Sequence, residues 1–143
     1  MWYAILGAVL LAGDQILKYW VVTHLAVGES APFLPGFMQL TRLHNYGAAW
    51  SSLSGRTVLL VVFTAVLLAA VALLLIKKVV RHWTGITACT LILSGGIGNI
   101  IDRIVHGYVV DMFDLQLFSY PVFNLADCCV VVGAILGGIY YLF

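Results

Sequence analysis

Six acidic residues occur in the 143-residue chain, and four of them, Asp102, Asp111, Asp114 and Asp127, fall in the single stretch GGIGNIIDRIVHGYVVDMFDLQLFSYPVFNLAD from Gly95 to Asp127. The sequence around this stretch is strongly apolar. A carboxylate in or near hydrocarbon is costly unless it is paired, protonated or hydrated, so such residues default to a functional role. Asp111 sits in YVVDMFD, just beyond one apolar run, and Asp127 sits in FNLAD, near the start of the next. Asn124 precedes Asp127 by three positions and shares its helix face. If the two apolar runs pack as neighbouring helices, the loop between them brings Asp111 over Asp127. Two close carboxylates do not both ionise cheaply and share a proton. One then acts as base toward water and the other as acid toward a carbonyl. That is the chemistry of an aspartic protease, although paired acids equally suit proton-coupled transport, and a polar packing scaffold is a third reading.

Three other groups are candidates for supporting roles. Asp14 and Lys18 are spaced i, i+4 and can pair on one helix face, bracing a helix bundle or taking a direct part in binding or catalysis. Asn45, in HNYGAAWS, stands before the small residues Gly47, Ala48 and Ala49, and either makes a turn or offers its amide to a peptide. GGIGNIIDR carries Gly95, Gly96 and Gly98, suited to close helix packing. There Asn99 and Asp102 share a face, and Arg103 is available to Asp102, to another carboxylate or to a lipid phosphate.

Composition sets the frame that must hold these groups. Hydrophobic residues make up 63% and charged residues 9%, against roughly 25% charged in a soluble domain, and the mean hydropathy is +1.07. A single integral membrane domain over 1–143 is expected, with spans at about 2–22, 57–76, 83–101 and 122–143. The opening MWYAILGAVLLAG has no basic leader and apolar sequence resumes after Asp14, so it reads as a true span rather than a cleaved signal. Lys77, Lys78 and Arg81 crowd the link between the second and third spans and place it in the cytoplasm. Both termini then face the cytoplasm, and the longer connections at 24–56 and 102–121 face outward.

The outer connections carry their own signals. GESAPFLPG reads as turns, while Gln39 and Thr41 alternate with Met38 and Leu40 as in a short strand, and GYVVDMFDLQLF has strand composition. Their pairing predicts a small sheet resting on the membrane. Trp20, Trp50 and Trp83 fall near the expected interfaces, and Pro121 suits the entry of the fourth helix. Cys89, Cys128 and Cys129 have no metal or redox spacing and read as small buried hydrophobes; His24, His44, His82 and His106 are scattered. The formal charge of +1 and the absence of a large basic patch give no sign of nucleic-acid binding.

The blocks DQILK at 14–18, NYGAAWS at 45–51, GNIIDR at 98–103, VVDMFD at 109–114 and FNLAD at 123–127, taken together and in this order, resemble the bacterial lipoprotein signal peptidases (signal peptidase II). The likeness covers nearly the whole chain. It implies a membrane all-α fold of four transmembrane helices with a small extracytoplasmic β-sheet, or cradle. It implies an aspartic endopeptidase that cleaves prolipoproteins just before a diacylglyceryl-modified cysteine. It implies work at the outer face of the cytoplasmic membrane, as a monomer among membrane lipids, without metal or organic cofactor. The catalytic aspartates map to Asp111 and Asp127. Positions for substrate placement and support map to Asp14, Lys18, Asn45, Gly98, Asn99, Asp102, Arg103, Asn124 and Ala126. Trp50 and Met112 stand where the family usually has phenylalanine, a difference expected to touch only the shape of the lipid or peptide groove.

Overall fold

The computed structural model describes residues 1–47 and 53–142. Four helices, α1 (Trp2–His24), α2 (Thr57–Ile76), α3 (Trp83–His106) and α4 (Leu125–Leu142), are each long and apolar enough to cross a bilayer. Three strands complete the fold: β1 (Ser30–Leu34), β2 (Met38–Asn45) and β3 (Val109–Leu115). They form one antiparallel sheet in the order β1-β2-β3. The protein is a multi-pass membrane protein with a small sheet, as composition and alternation predicted.

Three element boundaries differ from expectation. The turn-rich segment at 28–36 contains β1, which pairs with β2 through a register shift between Pro32 and Leu34. Pro32 is tolerated because β1 is an edge strand and needs no donor on its free side. Helix α3 runs past residue 101 to His106, because Asp102 and Arg103 find partners inside the protein; Gly107, in the left-handed region at φ 80°, then ends it. Helix α4 starts at Leu125, three residues later than the predicted span, so Pro121 lies ahead of the helix rather than at its entry. Ala48, Ala49 and Trp50 lie outside the described residues.

Helix α3 is the central element. Helices α1, α2 and α4 all pack on it, α1 also meets α4, and α1 and α2 scarcely meet each other. Small residues make this possible. A Cβ at Gly95 would run into the Ala126 carbonyl of α4, and one at Gly98 would come within 2.7 Å of the Asp14 carboxylate on α1. The opposite extreme is α2, with a mean hydropathy of 3.2 and mostly exposed apolar side chains, as expected of a lipid-facing helix. Under the sheet, Val21 and Leu25 of α1 pack with Val110 and Met112 of β3. Met112 is fully buried in this cluster.

A buried polar network locks α1, α3 and α4 together. The Lys18 ammonium lies 2.9 Å from Asp14 Oδ2 and 2.9 Å from Asp102 Oδ2, and donates to Asn99 Oδ1 at 3.1 Å. All three of its N–H bonds are thereby directed at acceptors. Asp14 Oδ1 accepts from the Ala126 backbone N–H of α4 at 2.9 Å, and Asp102 Oδ2 accepts from the Val110 N–H of β3 at 3.0 Å. The expected Asp14–Lys18 pair exists, but it is not self-contained: a second carboxylate shares the cation. Asp102 takes Lys18 rather than the adjacent Arg103, whose guanidinium donates to the carbonyls of Gly47 at 2.9 Å and Asn99 at 3.4 Å.

Two sets of variants test this architecture by thermal unfolding in detergent. Gly95→Ala should lower stability by about 1–3 kcal/mol through overpacking, whereas Gly138→Ala, with no atom within 4 Å of the added carbon, should leave it unchanged or slightly raised. Lys18→Met should be the most damaging change in the network, at about 3–5 kcal/mol, because it leaves two buried carboxylates without their cation. Asp14→Asn keeps an acceptor for the Ala126 N–H and leaves Lys18 paired with Asp102, so it should cost clearly less. A Lys18→Met protein as stable as Asp14→Asn would show that the ammonium is not the centre of the network.

Candidate active site

Asp111 and Asp127 approach the same place from different elements. Asp111 sits in the middle of β3, opposite Leu43 of β2, and is 2% exposed. Asp127 occupies the third position of α4, in its first turn. Its position follows from how that helix begins. Asn124 Oδ1 accepts from the Asp127 N–H at 2.8 Å, and Asp127 Oδ2 accepts from the Asn124 N–H at 3.2 Å. This is a reciprocal capping box, and it satisfies two donors that a helix start otherwise leaves open. Asp14 satisfies the next, at Ala126. The Ala126 side chain is almost fully buried against Gly98.

Asparagines hold both carboxylates. Asn124 Nδ2 donates to Asp111 Oδ1 at 2.8 Å and lies within 3.2 Å of Asn99 Oδ1 and 3.4 Å of the Val110 carbonyl. With two N–H bonds for three acceptors, the shortest contact, to Asp111, is the favoured one. Asn45 Nδ2 donates to Asp111 Oδ2 at 3.0 Å, and Asn99 Nδ2 donates to Asp127 Oδ1 at 2.8 Å. Each carboxylate thus accepts two hydrogen bonds among the described residues and keeps lone pairs for a further partner. Among the described residues, Asn124 alone hydrogen-bonds to both acids. Of the two readings open for Asn45, its amide is turned to Asp111, while its Oδ1 accepts from Gly47 N–H at 2.9 Å and closes a local turn.

Burial pushes the Asp111 carboxyl up to about 7, with the neighbouring Asp127 charge acting the same way; Asn45, Asn124 and Lys18 pull it down. Asp111 therefore titrates near neutrality, where an acid–base group is most useful. The two aspartates line a cleft of about 500 Å³ between α2, α3, α4 and the sheet. Asn45, Asn99 and Arg103 supply its other polar edge; Leu67, Phe123 and Val130 are among its apolar walls. Among the described residues, no group of three or more His, Cys, Asp or Glu side chains is placed to hold a metal ion.

The structure therefore gathers Asp14, Lys18, Asn45, Gly98, Asn99, Asp102, Arg103, Asn124 and Ala126 around the two acids. Asp114, the fourth aspartate of the stretch, is not among them: it is held on the sheet by Gln39 at 2.7 Å and Thr41 at 3.2 Å. One network member was missed in the sequence. Gln15 donates within 3.2–3.3 Å of Asp14 Oδ2, the Gly98 carbonyl and Asp102 Oδ1, bridging α1 and α3. An uncharged amide inside an apolar span was the available signal. Arg42 donates to the carbonyls of Val22 and Leu25 at 3.0 and 2.9 Å, tying β2 to the end of α1.

Comparison with known proteins identifies the family. The sequence model of the family described as signal peptidase (SPase) II matches residues 6–143. The lipoprotein signal peptidase of Enterococcus faecalis is 41% identical over 138 residues, which cover 96% of this chain and 86% of that protein. The lipoprotein signal peptidase of Lactococcus lactis subsp. lactis is 40% identical over 126 residues, 88% of this chain and 83% of that one. Among solved structures, a bacterial membrane enzyme determined by the in meso method at 2.3 Å superimposes with a TM-score of 0.92 and 34% identity, over 98% of this chain and 87% of the other. A second, at 1.9 Å, gives 0.89 and 34% over 98% and 92%. With the match running over nearly all of the sequence and the fold shared throughout, the chain belongs to the signal peptidase II family.

Proposed function

We propose that this protein is a membrane aspartic endopeptidase that removes signal peptides from diacylglyceryl-modified prolipoproteins, cutting before the lipidated cysteine, with Asp111 and Asp127 as its catalytic pair. The observation that carries the reading is the pair itself. A buried carboxylate, Asp111, and a half-buried one, Asp127, come from separate elements and are joined through Asn124 at the wall of a largely apolar cleft. Family membership favours peptide hydrolysis over proton-coupled transport.

The chemistry needs one proton between the two acids. The ionised carboxylate takes a proton from a water molecule as its oxygen attacks the scissile carbonyl carbon. The protonated partner gives its proton to the carbonyl oxygen, forming a neutral tetrahedral diol. Collapse of the diol returns a proton to the leaving nitrogen and breaks the C–N bond. Asn45, Asn99 and Asn124 keep the carboxylates oriented and leave lone pairs for water and substrate. The remaining supporting residues act through position: Lys18, Asp14 and Asp102 hold the helices that carry the pair. Gly98 and Ala126 give the room that lets α1 and α4 close on α3. The apolar cleft walls suit acyl chains entering from the bilayer, and Arg103 suits a backbone carbonyl or a phosphate at its rim.

The basic α2–α3 link supports an orientation with that link in the cytoplasm and with the sheet and acids at the extracytoplasmic face of a bacterial cytoplasmic membrane. Water then reaches the pair from outside without a path through the bilayer centre.

Asp111→Asn and Asp127→Asn should each lower cleavage of a diacylglyceryl-modified prolipoprotein by at least about 10²–10⁴-fold while substrate still binds. Retained cleavage by either variant would remove that residue from the pair. Catalysis should also fall as pH rises through about 7, where Asp111 loses its proton. Asn45→Ala withdraws a hydrogen bond that favours the charged form, so the alkaline limb of the kcat/KM profile should move to higher pH. An unmoved limb would mean that Asp111 does not govern it.

A further inference from the structure

A second cavity, of about 680 Å³, lies away from the aspartates. Its walls are α1 and the end of α2, its floor is the first half of α3, and Lys78 and Arg81 stand at its mouth. The cavity belongs to the opposite half of the bilayer: Ile86 lines it, and the helix from Ile86 to Asp102, near the acids, rises about 24 Å. It also opens on a different side of α3, between α1 and α2 instead of between α2 and α4.

The groove exists because α1 and α2 both pack on α3 but scarcely touch each other. Gly7 brings α1 close to α3, where an added Cβ would lie 3.3 Å from Ser94 Oγ, while the space toward α2 stays unfilled. The floor asks for no polar ligand. Thr90 Oγ1 donates to the Ile86 carbonyl at 2.8 Å, and Ser94 Oγ donates to the Thr90 carbonyl at 2.6 Å. The mouth is different. Arg81 Nε donates to the Lys78 carbonyl at 2.9 Å, which keeps the two cationic residues together. Lys78 holds a left-handed backbone at φ 53°, uncommon for a side-chain-bearing residue. All six acids lie elsewhere in the sequence, and among the described residues neither Lys78 nor Arg81 has an acidic partner.

We propose that this groove binds one anionic phospholipid from the leaflet bordering the α2–α3 link. The phosphate sits between Lys78 and Arg81, and an acyl chain runs between α1 and α2 over the floor made by Thr90 and Ser94. Basic pockets between transmembrane helices on the cytoplasmic side suit anionic headgroups, which are concentrated there. The charge also excludes the other apolar occupant at hand, a signal-peptide leader, because its own flank is basic. The lipid supplies the packing that α1 and α2 do not give each other, and α1 carries Asp14 and Lys18.

The test uses the full chain in phosphatidylcholine vesicles doped with phosphatidylglycerol, followed by native mass spectrometry of retained lipid. Wild type should keep a single phosphatidylglycerol in preference to phosphatidylcholine. The double variant Lys78→Asn, Arg81→Gln should weaken this retention by at least about tenfold. Ala8→Phe, which fills the groove without changing charge, should abolish it. Equal retention of the two lipids by wild type would overturn the proposal. So would wild-type phosphatidylglycerol retention in the double variant or in Ala8→Phe. None of these readouts depends on peptidase activity.

Discussion

One buried ammonium governs the arrangement of this protein. Lys18 is 3% exposed and stands between two carboxylates that are as deeply buried. Without it, Asp14 and Asp102 would be uncompensated charges in a bundle surrounded by hydrocarbon, a condition a membrane protein does not tolerate. With it, each acid is free to use its remaining lone pairs as a structural connector. Asp14 uses them to hold the first turn of α4, and Asp102 uses them to hold β3. The charge network is therefore less a source of net stability than a means of specifying which elements meet and at what height.

The height matters because both cleft-lining carboxylates, Asp111 and Asp127, are set by these same connections. Asp127 is placed by a helix start, and helix starts carry partial positive charge that favours an anion. Asp111 is placed by a strand whose backbone is tied to Asp102 at the preceding residue, Val110. A change in how α1 meets α3 would thus move both acids. Asn124 sits at the crossing point: its backbone and Oδ1 serve α4 while its Nδ2 serves β3. An asparagine suits this position because it offers donor and acceptor on one short side chain. An aspartate would add a third charge to the pair, and a glutamine would be too long to close the capping box.

The apolar surface follows a different rule. Outside α3, the helices expose large aliphatic side chains on most faces, and the lipid, not protein packing, covers them. Only α3 has three helices packed on it, and it carries four glycines, Gly85, Gly95, Gly96 and Gly98. The buried charged side chains, Asp14, Lys18, Asp102 and Asp111, lie at one level, near the end of α3 and the start of α4. There the sheet caps the bundle and Arg42, His44 and Tyr108 fasten its edge. Tyr108 stacks on His44 at 3.8 Å, and burial together with the Arg42 charge holds His44 below its usual range, so this fastening works with a neutral ring.

Four membrane spans, their basic link and the strand character of β2 and β3 were legible from the residues, because hydropathy and alternation are local sums over neighbouring positions. The acids were legible as exceptions to that apolar background. What the residues alone did not decide was pairing. Asp102 stands beside Arg103 in sequence yet takes Lys18, and Asp14 reaches 112 positions along the chain to the Ala126 N–H. Gln15 stands beside the Asp14–Lys18 pair in sequence, and only its contacts across to Gly98 and Asp102 mark it as a bridge between helices. The start of α4 shifted for the same reason: Val122 and Phe123 are apolar enough to continue a span, but the exchange of bonds between Asn124 and Asp127, completed by Asp14 from another helix, fixes the first turn at Leu125. Composition determines that these side chains must be satisfied inside a membrane. Only the tertiary structure decides by whom, because a buried hydrogen bond is chosen by distance in space among partners that sequence separation does not rank.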